Sequence, residues 1–118
     1  MKIKIYFTIL PIILALISAC VNLDDIVINT PDLSKIADGK YRGDSKVGPV
    51  RVTLDVTMES GVIASMQITR HLNGRGKKAE AIVPRVIEAQ SLNVDVISGA
   101  TGSSKAILQA AENALTKP

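Results

Sequence analysis

The sequence predicts an α+β domain: one antiparallel β-sheet with helices packed on one face, in a single small domain. Three observations carry this reading. Apolar residues alternate over Val50, Val52, Leu54, Val56 and Met58 and resume at Val62 after a turn signal, as in a half-buried hairpin. Helical spacing takes over in the second half, at Ala79, Ile82, Val83, Val86, Ile87 and Gln90, and again from about Gly102 to Thr116. A length of 118 residues suits one core and leaves no room for a separate catalytic lobe.

Taken in order, residues 1–19 read as a targeting segment rather than as part of the fold. Lys2 and Lys4 form a basic start, Ile9 to Ile17 is apolar apart from Pro11, and Ser18-Ala19 places small residues directly before Cys20. The stretch is short for a spanning helix. It resembles the lipobox of bacterial lipoproteins, in which the cysteine becomes the lipidated first residue of the mature chain. An uncleaved anchor with an incidental cysteine is the alternative. Residues 20–37 are then a lipidated tether, because Val21 to about Ser34 is rich in Asn, Asp, Thr and Pro and has little periodicity.

The domain proper is placed at residues 38–118. Asp38-Gly39-Lys40-Tyr41 is a turn signal before a short strand. After Pro49 comes the alternating strand, with Arg51, Thr53, Asp55 and Thr57 on its polar face. Glu59-Ser60-Gly61 is a turn, and Val62, Ala64, Met66 and Ile68 are expected on the core face of the returning strand. Asn73 to Lys78 is a glycine-rich basic loop. Pro84 lacks an N–H and crowds the preceding turn, so it is expected to kink or divide the helix that follows. Val94-Asp95-Val96-Ile97 is a short extended run, and Ile107, Leu108, Ala111 and Leu115 form the apolar stripe of the last helix.

Composition narrows the chemistry. Losing Lys2 and Lys4 with the signal takes Lys+Arg from 14 to 12 against 11 acids, so the mature chain is near neutral and nucleic acid is not an expected partner. With Cys20, the single cysteine, acylated, disulfides, thiolate catalysis and cysteine metal sites are excluded; one histidine, His71, cannot make a multi-histidine metal site.

The informative segment runs from Asp95 to Ser104: Asp-Val-Ile-Ser-Gly-Ala-Thr-Gly-Ser-Ser. It leads a strand into a helix. Gly99 permits a tight or left-handed backbone, and Thr101 stands where a helix N-cap is expected. A helix start exposes unpaired N–H groups and the positive end of the dipole, which suits a phosphate, and Ser103 and Ser104 offer further hydroxyls. On these residues alone the segment is either a capped helix start or a phosphate site.

The same run resembles the signature of FMN-binding domains, which also occur in subunits of sodium-pumping and proton-linked membrane oxidoreductases. Asp95, Ser98, Gly99, Ala100, Thr101, Ser103 and Ser104 match that pattern, and Gly102 lies within it. The likeness extends to Asp38-Gly39-Lys40-Tyr41-Arg42-Gly43, to the hairpin, and to Glu88-Ala89-Gln90-Ser91, so that it covers about residues 38 to 116. The resemblance implies covalent FMN, held by a phosphoester to Thr101 and transferred from FAD by a flavin transferase. It implies membrane or extracytoplasmic redox proteins or quinones as electron partners, and a lipid-anchored carrier at the cell membrane or periplasmic face. An ester keeps the flavin from being lost where it cannot be replaced, and leaves its ring to exchange electrons.

Other residues carry less. His71 is read as an exposed loop histidine or a flavin contact, and Tyr41 as a core aromatic or a stacking partner. Lys77 and Lys78 are read as solvating the loop rather than meeting phosphate, Met58 and Met66 as core, and Glu88 as a surface charge. Gly74 and Gly76 make no dinucleotide fingerprint. The leading function is an extracytoplasmic electron relay. The alternatives are a small flavin reductase with its own substrate, and a non-redox interaction lipoprotein.

Overall fold

The computed structural model describes residues 26–72 and 77–116. Their order is a 3-10 turn at Leu33–Lys35, strands β1 (Gly39–Val47), β2 (Val50–Glu59) and β3 (Val62–Leu72), and helices α1 (Lys77–Glu80), α2 (Ile82–Ala89) and α3 (Thr101–Thr116). The strands form one antiparallel sheet in the order β1-β2-β3, with the helices on one face. The architecture is the α+β fold that the patterning predicts.

Both hairpins turn on left-handed backbone. Val47 pairs with Val50 across Gly48-Pro49, with Gly48 at φ 58. Glu59 pairs with Val62 across Ser60-Gly61, at φ 52 and 76, the pattern of a type I′ turn, whose twist matches that of the strands it joins. The Ser60 N–H donates to the Asp38 carboxylate at 2.8 Å, which ties the start of β1 to this turn.

The core face of β2 is as expected: Val50, Val52, Leu54, Val56 and Met58 are all buried. β3 departs from simple alternation. Val62 is 46% exposed and Ala64 is exposed, while Ile63 is 1% exposed. The cause is a register shift: Thr57 pairs with Ser65 but Met58 with Ile63, so Ala64 is an extra residue that reverses the phase. A second shift leaves Thr69 extra between Ile68 and Arg70, and its hydroxyl donates to the Thr53 carbonyl. Met66 and Ile68 keep their predicted inward places, and His71 comes to the core face opposite Val52.

α3 crosses the core face of β1 and β2, and the sequence explains how it comes so close. Gly43 has no side chain where the helix passes: a Cβ there would stand 2.1 Å from the Ala110 carbonyl oxygen and 2.4 Å from the Ala114 nitrogen. The helix contributes Ala106, Ala110, Ala111 and Ala114, all buried, beside Ile107, Leu108 and Leu115. Ser45 donates to the Ala106 carbonyl, and the Asn113 amide donates to the Asp44 carbonyl. α3 therefore runs from the Val47–Val50 end of the sheet toward the Gly39 end.

The segment around Pro84 is divided as expected, at Ala81. Pro84 falls in the first turn of α2, where its missing N–H has no helical partner to lose. α2 ends at Gln90, which is left-handed at φ 51. Its side-chain amide docks the helix on the edge of β3: Oε1 accepts the Ile63 N–H at 2.7 Å, and Nε2 donates to the Ile63 and Ile87 carbonyls.

The stretch expected to be a free tether is packed from Ile26 onward. Ile26, Ile28, Leu33 and Ile36 lie against the core. Thr30 Oγ1 accepts the Leu92 N–H at 2.9 Å, and the Asn29 N–H donates to the Glu112 carboxylate. Four apolar side chains among the polar ones supply enough burial to dock this segment against the core. The export segment and Cys20 lie outside the described residues.

Candidate functional site

The segment from Leu92 to Ala100 is irregular, so the helix of the motif is entered from a loop, not from a strand of the sheet. Two buried anchors hold it: Leu92 at 0% exposed and Ile97 at 8%. Between them, the Asp95 carbonyl accepts from the Arg85 guanidinium at 3.2 Å, which fastens the loop to α2. A turn follows, closed by the Ala100 N–H donating to the Ile97 carbonyl at 2.9 Å. Gly99 is its third residue, at φ 78, a position where a side chain would be strained and glycine is required.

The Ser104 N–H donates to the Ala100 carbonyl at 2.9 Å, so Ala100 occupies the N-cap position and Thr101 is the first helical residue. This corrects the expectation that Thr101 is the cap. The difference is one residue along the chain, and it changes what the threonine does: its hydroxyl is not committed to satisfying the helix start. Thr101 and Gly102 are half-buried, and the N–H groups of this first turn have no intrahelical acceptors.

The motif sorts its residues into two sets. Ile97, Ala100, Ser103 and Ser104 face inward, with Ser103 at 3% and Ser104 at 0% exposed. Ser104 Oγ accepts the Ile97 N–H at 3.0 Å, a bond that closes the loop onto the helix. The two serines expected as hydroxyl donors to a phosphate are therefore both buried, and the Ser104 hydroxyl satisfies the loop backbone there. Asp95, Ser98 and Gly99 are exposed, next to the half-buried Thr101 and Gly102. Asp95 also borders an open cleft of about 590 Å³ with Arg85, Glu88 and Asn93.

Two neighbours of the motif come from elsewhere in the chain. Lys78, in α1, reaches across it: a Cβ on Gly99 would stand 3.0 Å from Lys78 Nζ. Sequence reading set this lysine aside as loop solvation, and no local spacing could place it, since the contact spans 21 residues. His71 lies within β3 on the core face and not in a loop. Both of its ring nitrogens are buried with no hydrogen-bond partner among the described residues. Its row of the sheet, Ser45-Val52-His71, is the one where Ser45 meets the first turns of α3.

Tyr41 is remote from this end. It pairs with Val56 near the start of β1, packs against the core, and donates its hydroxyl to the Ala37 carbonyl at 2.7 Å. Met58 and Met66 are core residues and Glu88 is exposed, as read from the sequence. Gly74 and Gly76 lie outside the described residues, as does the side chain of Lys77.

A glycine turn leading into a helix start, with a threonine at its first position and a lysine above the turn, is chemically suited to a phosphate-bearing group. The family model of the FMN-binding domain matches residues 46–116, more than half of the chain, and the protein belongs to that family. It is a flavin-binding protein, and FMN is its cofactor. Over 88 residues it is also 30% identical to an uncharacterized protein of Treponema pallidum (strain Nichols). That match covers 72% of this chain and 24% of the relative, so the chain spans about a quarter of the relative's length.

The residues present fit such a group. Lys78 supplies a cation against the turn where Gly99 has no side chain, and the start of α3 supplies N–H groups and a positive dipole end.

Proposed function

We propose that the protein is an extracytoplasmic electron carrier holding FMN by a phosphoester to Thr101. The observation that carries this reading is Thr101, whose hydroxyl makes no hydrogen bond among the described residues, half-buried at the first position of α3 and shortly after the exposed Ser98-Gly99 turn. Attachment is the work of a flavin transferase. The Thr101 hydroxyl oxygen forms the new bond to the phosphorus of the FMN half of FAD. The pyrophosphate bond breaks, AMP leaves and the hydroxyl proton is given up. Asp95 and Ser98, both exposed, offer the transferase polar handles on either side of the buried Ile97.

Once bound, the flavin supplies one- and two-electron chemistry, and the protein supplies position and electrostatics. The cleft beside Asp95 is open and edged by Arg85, Glu88, Asn93 and Asp95, which favours exchange with a protein or quinone partner over enclosure of a small substrate. Export and anchoring rest on the basic start, the apolar run and Ser18-Ala19-Cys20.

The deciding experiment is coexpression with a flavin transferase. The product is expected to stay yellow after denaturation and to gain the mass of FMN less one water on the peptide spanning Asp95 to Lys105. Thr101→Ala is expected to fold and remain unlabelled. Covalent flavin on that variant would overturn the assignment. Vigorous NADH oxidation by the isolated flavinylated domain would favour the reductase reading.

A further inference from the structure

We infer that Lys78 is a positioning residue for the phosphodiester of the attached flavin, an inference that rests on the proposed linkage to Thr101. Lys78 is exposed and belongs to α1, yet its ammonium lies over the turn of the motif, 3.0 Å from where a Gly99 side chain would begin. An exposed lysine ordinarily extends into water, where its charge is best solvated. Among the described residues Lys78 forms no ion pair that would draw it to this place. Gly99 is needed for the turn, and its missing side chain also leaves the space through which the ammonium approaches.

Gly99 lies two residues before Thr101, so their Cα atoms are separated by at most about 7 Å. The ammonium is thus within one side chain's flexibility of any group esterified to Thr101. A phosphodiester carries one negative charge. It would meet both the positive end of α3 and the Lys78 ammonium, which would restrain the arm from which the isoalloxazine ring hangs.

The test uses full-length protein flavinylated as wild type, Lys78→Met and Lys78→Arg, with folding checked by circular dichroism. Three quantities are read: labelling rate at limiting transferase, the 31P resonance of the phosphodiester, and the fluorescence anisotropy decay of the flavin. Lys78→Met is expected to label about tenfold more slowly, the effect of losing one charge-assisted hydrogen bond. Its 31P resonance is expected to move and its anisotropy to decay faster. Lys78→Arg keeps the charge and is expected to stay close to wild type in all three. A methionine variant that does not label beside an arginine variant that does also supports the assignment. A Lys78→Met protein with wild-type 31P resonance and anisotropy overturns it. So does failure of the arginine variant to rescue, since charge is then not what matters. Wild type without covalent flavin would instead bring down the Thr101 linkage itself.

Discussion

Thr101 and Asp55 are polar side chains whose surroundings give them different work. Because Ala100 holds the cap position, Thr101→Ala removes no capping bond, and stability is expected to change by no more than about 0.5 kcal/mol. Thermal unfolding of the unflavinylated pair measures this, and a loss of about 1 kcal/mol or more would mean that the hydroxyl caps after all. Asp55 stands on the outer face of β2 at 5% exposed, where Arg42 grips it through Nε at 2.8 Å and Nη2 at 3.1 Å. Hydrogen bonding to Arg42 holds the Asp55 carboxyl below its ordinary value of 3.8; burial opposes this, and the charges of Arg42 and Lys40 add to it. A lowered folded-state value means stabilisation that is full above the ordinary carboxylate range and is lost as the pH falls through the folded value. The stability gap between wild type and Asp55→Asn is therefore expected to be widest near about pH 7 and to close below about pH 4. Denaturant titrations at several pH values check this; a gap that widens on acidification would contradict it.

Two contacts between elements decide how the helices sit on the sheet. Gly43→Ala places a methyl inside the backbone of α3 at Ala110 and Ala114, where no flexible side chain can give way. The expected cost is about 3 kcal/mol, or roughly 15 °C in Tm for a domain of this size. A variant within about 1 kcal/mol of wild type would show that the helix can slide off β1 easily. Gln90 holds α2 to β3 while in a left-handed conformation. Gln90→Ala strands the buried Ile63 N–H and carbonyl and keeps the backbone strain, for about 2–3 kcal/mol. Gln90→Gly loses the same bonds but relieves the strain, so it is expected to be milder by about 1 kcal/mol. Equal losses in urea unfolding would show that the left-handed backbone costs nothing here.

At the scale of the whole molecule, the packed N-terminal segment and the flavin motif lie toward opposite ends of α3. Asn29 bonds Glu112, eleven residues after Thr101, a separation of about 16 Å along the helix axis. If Cys20 is the lipidated first residue, Cys20→Ser is expected to shift the protein from the membrane fraction or leave it unprocessed, with flavinylation of Thr101 intact. Fractionation together with intact mass measures both at once, and mature wild-type protein that retains residues 1–19 would refute the export reading.

Local patterning was enough for most of the elements and for the family. Alternation over Val50 to Met58, the Glu59-Ser60-Gly61 turn, the break near Pro84 and the stripe of α3 are properties of neighbours in the chain, where periodicity and backbone preference act directly. The resemblance to the family was legible for the same reason: much of it is carried by ten consecutive residues, Asp95 to Ser104. Long-range packing decided the rest. The bulges at Ala64 and Thr69 arise from pairing with β2, so no reading of β3 by itself could reveal that Ile63 and His71 turn inward. Thr30 and Ile26 join the domain because Leu92 and the core are there to receive them. Ser104 turns away from the site because the Ile97 N–H, buried by the fold, must be satisfied. Lys78 meets Gly99 across 21 residues because α1 packs beside α3, a contact set by the shape of the core and by no spacing in the sequence.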